Sequence, residues 1–312
     1  MYSNVRRGGK YISRLSEFIR REYQIVPVAL TPAKRGFYGE TWRLEAAAKN
    51  YFVKLDYSPH KEIYKRSFPV IEHLCRYGID SISKIVSNAN GELFSSFESA
   101  ILGVFDWIDG ENAETDATKI FEYQILAKIY TVPADGVVIA REDFSNKNAD
   151  KFFAQWDALK DRQLIALLEK NRSKLETRAA QSEKFARLCR GDNTGFVITH
   201  GDAGGNFMIS ASGDKYFIVD WDSPVLAPPE RDAWVMCGKD WAMGAFHDAL
   251  RRNKIEYDLR PERLAYYCCD FFFYYLNSYL DASAQAGVVG EYIDGWIKES
   301  FEYVDKIERQ ER

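Results

Sequence analysis

Thr199-His200-Gly201-Asp202-Ala203-Gly204-Gly205-Asn206, followed by Tyr216-Phe217-Ile218-Val219-Asp220-Trp221-Asp222, is the stretch on which the reading of this chain turns. Two short apolar runs, Val197-Ile198 and Phe207-Met208-Ile209, bracket the polar cluster, and a third run ends abruptly in two carboxylates. That spacing predicts Asp202, Asn206 and Asp220 at neighbouring strand ends. Such a set suits phosphoryl transfer. One carboxylate receives the proton of an attacking hydroxyl, while Mg²⁺ held by an Asn and an Asp bridges nucleotide phosphates.

Asp202 reads as the base, flanked by Gly201, Gly204 and Gly205, which allow close approach of backbone to substrate. For His200-Gly201-Asp202 alone, a turn capped by the Asp is an equal reading, and the downstream Asn206 and Asp220-Trp221-Asp222 favour the catalytic one. Asn206 and Asp220 are the expected metal ligands, a sparse set that matches Mg²⁺, which keeps waters and phosphate oxygens. Asp222 is either a second acid or the cap of the turn into Pro224, and the structural role is favoured. His200 reads as an internally hydrogen-bonded structural residue rather than a base.

Upstream, Lys54 ends the strand-like Tyr51-Phe52-Val53, and Glu62 lies one turn into the next helix. The two are expected to pair across a sheet–helix interface, aiming the Lys at phosphate, although ordinary surface pairs look the same. Residues 36–41, Gly36-Phe37-Tyr38-Gly39-Glu40-Thr41, join two strand-like segments and could form a hairpin over a nucleotide. No Gly-x-x-x-x-Gly-Lys-Ser/Thr or Gly-x-Gly-x-x-Gly sequence is present, which disfavours Walker-type and dinucleotide-binding folds.

The 312 residues, 46% hydrophobic and 28% charged, suit a globular chain of about two domains. A net charge of -4 gives no basic surplus for a nucleic-acid backbone; it would suit a cationic small molecule, but a balance set by solubility alone is the weightier reading. Cys75, Cys189, Cys237, Cys268 and Cys269 form no metal or disulfide spacing, which fits a reducing, cytoplasmic setting. Arg6, Arg7 and Lys10 are followed by no apolar signal region, and Tyr11, Ile12, Leu15, Phe18 and Ile19 repeat at the spacing of a surface helix. The aromatic run at residues 271–280 is too short and polar-flanked to span a bilayer, and reads as helical core packing. No membrane partner is expected.

The first third reads as strand-rich, with strands near 24–30, 37–46, 51–55, 81–87, 92–97 and 100–105. One helix, residues 61–77, interrupts them, and Pro69 should kink or bound it. From residue 117 the pattern turns helical, with long amphipathic stretches across 149–190 and from 239 onward. This predicts an α+β, two-lobed arrangement: a small antiparallel-sheet lobe at 1–104, a turn-prone hinge at 105–110, and a helical lobe at 111–312, with a cleft as the ligand site.

Taken together, these residues resemble the aminoglycoside phosphotransferase and choline kinase superfamily, whose two-lobed fold is that of the protein kinases. The resemblance covers nearly the whole chain. It is strongest to the spectinomycin-type members, through Ile218-Val219-Asp220-Trp221-Asp222-Ser223-Pro224 running into Leu226-Ala227-Pro228-Pro229-Glu230-Arg231-Asp232, and through Tyr51-Phe52-Val53-Lys54-Leu55 with Glu62. It implies ATP and Mg²⁺ as cofactors and the hydroxyl of a cationic aminoglycoside or aminocyclitol as acceptor. Choline, sugar, homoserine or thiosugar acceptors and an inactive nucleotide-binding pseudokinase are the alternatives. By resemblance Asp202 is the base, Asn206 and Asp220 hold metal, Lys54 contacts the α- and β-phosphates, Glu62 is its helix partner, and Asp232 is structural. The Asp106 carbonyl and Ile108 amide would meet adenine, and residues 36–41 would cover the phosphates. One departure stands out: Asn206 follows Asp202 by four residues, where the superfamily usually has five.

Overall fold

The computed structural model describes residues 7–33, 39–57, 61–113 and 115–310. The chain divides into two compact units, residues 1–140 with 200–225, and residues 141–199 with 226–312. The sequence cluster at 200–222 therefore belongs to the first unit.

The first unit opens with α1 (Gly9–Tyr23), followed by β1 (Pro27–Pro32), β2 (Glu40–Ala46), β3 (Asn50–Asp56), α2 (Lys61–Arg76), β4 (Ile85–Val86), β5 (Ser95–Phe97) and β6 (Ala100–Asp106). The strands form an antiparallel sheet in the order β1-β2-β3-β6-β4, with β5 pairing β6. Alternation decides its faces. Trp42 and Leu44 of β2, Val53 and Leu55 of β3, and Leu102 and Val104 of β6 form one core with Tyr11, Leu15, Ile19 and Tyr23 of α1. The N-terminal helix is thus a core element and not only a surface one.

Lys54, between Val53 and Leu55, belongs to the opposite face, in register with Thr41 on one side and Gly103 on the other. A side chain at Gly103 would meet the Phe68 ring of α2 at 2.7 Å, so glycine there is what lets α2 seat against this face. Pro69 does not bound α2, which is helical from Lys61 to Arg76. The missing amide hydrogen bond is outweighed by the burial of Tyr64, Phe68, Val70, Ile71 and Leu74 along the same helix, about 1.5–3 kcal/mol for each large side chain.

The strand expected across 81–87 shrinks to the two residues of β4, and Asp106 closes β6 where the hinge was anticipated. Beyond it come β7 (Gly110–Asn112) and α3 (Asp116–Ile129), the latter capped by Thr115, whose side chain accepts from the Thr118 amide. The chain passes through β8 (Ala140–Arg141), α4 (Lys147–Asp157), α5 (Arg162–Lys170), α6 (Arg172–Cys189) and β9 (Val197–Thr199) before returning to the first unit. There β10 (Phe207–Ser210) and β11 (Tyr216–Ile218) form a small antiparallel sheet in the order β11-β10-β7.

The second unit continues with β12 (Val225–Ala227), α7 (Glu230–Ala233), α8 (Asp240–Arg252), α9 (Pro261–Asp281) and α10 (Ala286–Gln310). The amphipathic stretch at 149–190 is three helices, broken where Asp161 caps α5 by accepting from the Gln163 and Leu164 amides. Its centre is α9, whose Phe271, Phe272 and Phe273 are buried as the aromatic run suggested. The guanidinium of Arg263, fully buried, donates to the Thr194 and Asp192 carbonyls and to the Tyr257 hydroxyl, which in turn donates to Glu230. Among the described residues no helix is long and apolar enough to cross a membrane.

Candidate active site

The site grows from the two ends of the β10–β11 hairpin. Before β10, the segment Thr199-His200-Gly201-Asp202 runs out of β9 and turns through Gly201 at φ +83° and Gly205 at φ +82°, a conformation that glycine adopts without strain. The Asn206 amide closes the turn on the Ala203 carbonyl at 3.1 Å. Its side-chain Nδ2 donates to the Asp202 carbonyl at 2.6 Å and lies 3.4 Å from Asp202 Oδ2. The shortened loop therefore lays Asn206 directly over Asp202. An NH₂ group must face the carbonyl oxygen, which fixes the amide orientation and leaves Oδ1 without a hydrogen bond among the described residues.

After β11 the chain turns sharply at Asp220, which takes φ +63°, a left-handed conformation uncommon outside glycine but tolerated by Asp. The Asp222 amide donates back to the Asp220 carbonyl at 2.9 Å. This tight turn points both carboxylates one way and sends Trp221 inward, 3% exposed, with its indole N–H on the Ile218 carbonyl at 3.0 Å.

His200 ties the two ends together. It is buried, its Nδ1 accepts from the Asp202 amide at 3.1 Å, and its Nε2 lies 2.9 Å from the Val219 carbonyl. Accepting on one nitrogen leaves the proton for the other, so Nε2–H donates to Val219 and the ring is neutral. Its edge packs on Trp221 with centroids 4.5 Å apart. His200 is thus the internally bonded residue that the sequence suggested, holding the Asp202 turn to the strand that delivers Asp220.

The third component comes from β3. Lys54, only 8% exposed, donates through Nζ to Asp220 Oδ1 and to Asp222 Oδ2, each at 2.6 Å. Burial works against the ammonium, but the two carboxylates outweigh it and hold Lys54 charged, well above its ordinary range. Desolvation by the surrounding protein likewise opposes ionisation of Asp220, although its side chain keeps 39% of its surface, and Lys54 outweighs it, keeping that carboxylate below its usual value. Asp222 goes the other way: burial first, and then repulsion from Asp220, push it up to about 7 despite Lys54. Its side chain serves Lys54 rather than only capping the turn into Pro224.

Glu62 is not brought to Lys54. It is exposed and pairs with Lys65 at 2.8 Å, one turn along the same helix. What α2 presents to Lys54 is Tyr64, whose ring centroid lies 4.8 Å from Nζ. Helical spacing could have shown this, because Tyr64 and Phe68 are four residues apart on one face and Glu62 falls off that stripe.

Asp106 pairs with Lys49 at 2.5 Å, and its carbonyl accepts from the Ser83 hydroxyl at 2.9 Å. That carbonyl keeps a second lone pair, and the Ile108 amide makes no hydrogen bond among the described residues. Of the loop at 36–41, residues 36–38 lie outside the described residues. Gly39, at φ +75°, leaves no room for a side chain, since one would meet the Leu55 carbonyl oxygen at 2.1 Å. Asp232 is buried, in keeping with a structural role.

The donors fit a hard divalent cation. Asp220 has a side chain 39% exposed, and Asn206 offers an uncommitted Oδ1, an all-oxygen pair of the kind Mg²⁺ accepts alongside waters and phosphate. Among the described residues no group of three or more His, Cys, Asp or Glu side chains surrounds a metal position.

Residues 29–267 match the sequence model of a phosphotransferase enzyme family, well over half of the chain. A comparison with curated proteins finds no match. Among solved structures, the chain is similar to the spectinomycin phosphotransferase APH(9)-Ia in complex with ADP and spectinomycin, with 20% identity, a TM-score of 0.70, and coverage of 94% of this chain and 93% of that one. It is similar to the choline kinase LicA from Streptococcus pneumoniae at 14% identity and TM-score 0.65, covering 96% of this chain and 100% of that one. The amicoumacin kinase hAmiN, in complex with AMP-PNP, Ca²⁺ and Ami, matches at 13% identity and TM-score 0.63, with 96% of each chain covered. At such identities the likeness establishes the fold, an α+β arrangement of antiparallel sheet and helical part shared with these kinases.

Proposed function

The chain belongs to the phosphotransferase enzyme family, and from that premise we propose that it transfers the γ-phosphoryl group of ATP, with Mg²⁺, to a hydroxyl of a spectinomycin-like aminocyclitol or aminoglycoside. The chain is a nucleotide-binding phosphotransferase of small-molecule hydroxyls. The observation that carries the phosphoryl-transfer reading is the convergence of Lys54, Asp220 and Asp222 at 2.6 Å beside the His200-anchored turn holding Asp202 and Asn206.

In this reading Asp202 accepts the proton of the acceptor hydroxyl as the oxygen attacks phosphorus. Asn206 Oδ1 and Asp220 would hold Mg²⁺, which would supply positive charge against the negative charge of the phosphoryl group in flight. Lys54 leaves Asp220 and contacts the α- and β-phosphates, while Asp222 keeps hold of the ammonium and so keeps it aimed. The Asp106 carbonyl and Ile108 amide receive adenine. Residues 1–104 then act as the nucleotide lobe, 105–110 as the hinge, and 111–312 supply the base, the metal ligands and the acceptor site. Little covalent chemistry is asked of the protein, and alignment with charge neutralisation does most of the work.

Support for the acceptor comes from the likeness to a spectinomycin phosphotransferase across 94% of this chain, and from the net charge of -4, which suits a cationic substrate. The likeness to a choline kinase supports a second reading, a metabolite hydroxyl as acceptor. Expression in a spectinomycin-susceptible bacterial host tests the choice. Resistance that disappears with Asp202→Asn supports the aminocyclitol, and unchanged susceptibility across an aminoglycoside panel, with ATP turnover on choline or sugars, moves the assignment to a metabolite.

A further inference from the structure

Lys54 has no carboxylate from α2, yet α2 does reach it. The Tyr64 ring stands 4.8 Å from Nζ, within the range of a cation–π contact. That ring is fixed from behind: it stacks on Phe68 with centroids 5.3 Å apart and planes 8° from parallel, and Phe68 meets Phe105 edge-on at 5.3 Å. Phe68 in turn occupies the space that Gly103 leaves opposite Lys54. The Tyr64 side chain is 1% exposed, and its hydroxyl oxygen has no hydrogen-bond partner among the described residues.

A buried hydroxyl with nothing to bind is costly to the fold, and such orphans gather where a ligand supplies the partner. The hydroxyl lies within electrostatic reach of Lys54, Asp222, Asp56 and Asp220, and burial keeps it protonated, hence a donor. The position beside Lys54 is where a negatively charged phosphate oxygen would come.

Resting on the phosphotransferase reading above, we propose that Tyr64 belongs to the nucleotide-phosphate site: its ring face holds the Lys54 ammonium in place, and its hydroxyl donates to a phosphate oxygen of the bound nucleotide. Tyr64 thereby takes the position on α2 for which Glu62 was the sequence candidate. Glu62, exposed and paired with Lys65, has no part in it.

Equilibrium binding of ADP with Mg²⁺, followed by calorimetry, and steady-state kinetics against ATP test this on the full-length protein and three variants. Tyr64→Phe keeps the ring and removes the donor; it should weaken ADP binding about tenfold, the usual loss for a hydrogen bond to a charged group, and leave the melting temperature unchanged or higher. Tyr64→Leu removes the ring as well and should lower kcat beyond that, because Lys54 is no longer seated. Glu62→Gln should stay within about twofold on both measures. ADP affinity unchanged in Tyr64→Phe, or a large loss in Glu62→Gln, overturns the proposal. Failure of the wild-type protein itself to bind ADP would instead sink the phosphotransferase reading, so the two failures are distinguishable.

Discussion

Lys54 and Asp220 hold each other at 2.6 Å although they stand 166 residues apart in the chain. This pair closes the site on itself, with the ammonium occupying the carboxylate that the metal would need. On the proposed reading, nucleotide and Mg²⁺ would exchange this ion pair for two new contacts, Asp220 to metal and Lys54 to phosphate. Lys54→Met should cut kcat/KM for ATP by about 10²–10³ in a coupled ADP-release assay. Asp220→Asn should raise the Mg²⁺ concentration needed for half-maximal rate, an effect that Lys54→Met does not share.

Asp202 is exposed at the mouth of its turn, so its role can be separated from the fold. Asp202→Asn is expected to lower kcat by about 10²–10⁴, the usual contribution of a positioned base, while the melting temperature moves by no more than about 2 °C. Thermal melting beside steady-state kinetics reads both. Retention of full kcat would remove Asp202 from the chemistry.

His200 predicts the opposite pattern. Replacing a buried ring that bonds both the Asp202 amide and the Val219 carbonyl leaves a cavity and two lost hydrogen bonds. His200→Ala should cost about 3 kcal/mol in urea unfolding, as well as activity. His200→Gln, long enough to reach one of the two partners, should recover part of the stability.

In the second unit, burial, reinforced by Glu142 and Asp143, pushes the Asp270 carboxyl up to about 7, against the pull of Asn148, which donates to it at 2.8 Å, and of Arg231. The folded value lies above the unfolded one, near 3.9. The folded state thus binds the extra proton, and stability falls as pH rises from about 4 through 7. Asp270→Asn keeps the contact with Asn148 and removes the charge. Its melting temperature should exceed the wild-type value at pH 8, and the gap should narrow steadily towards pH 4.

Gly39 offers a test of the backbone before β2. At φ +75°, with the Leu55 carbonyl oxygen 2.1 Å from where a Cβ would stand, Gly39→Ala has to displace β3, the strand that carries Lys54. It should destabilise the protein by more than 1 kcal/mol and raise KM for ATP, while Gly78→Ala, also at positive φ but in open space, should cost stability alone.

Much of this was written in local pattern. Short apolar runs bounded by turn residues gave β2, β3 and β6, the last buried on both faces, and helical spacing gave α1 and α2, because each of these helices buries one stripe and its period shows in the sequence. Asp202, Asn206 and Asp220 could be picked out because short apolar runs deliver them to strand ends. The two-residue β4 and β8 carry too few side chains for any period to register, and the breaks among α4, α5 and α6 depend on caps that a continuous amphipathic pattern hides.

The sequence by itself determined which residues could serve the site: a lysine on a central strand, a carboxylate after a tight turn, an amide and an acid beyond it. Tertiary structure alone decided their partners. Whether Lys54 would face Glu62 or Asp222 depended on which stripe of α2 packs against the sheet, and that was settled by Gly103 making room for Phe68 and so bringing Tyr64, not Glu62, over the ammonium. Pairings between residues 166 or 168 positions apart carry no local signature, because they arise only when separate elements bury their apolar faces against one another.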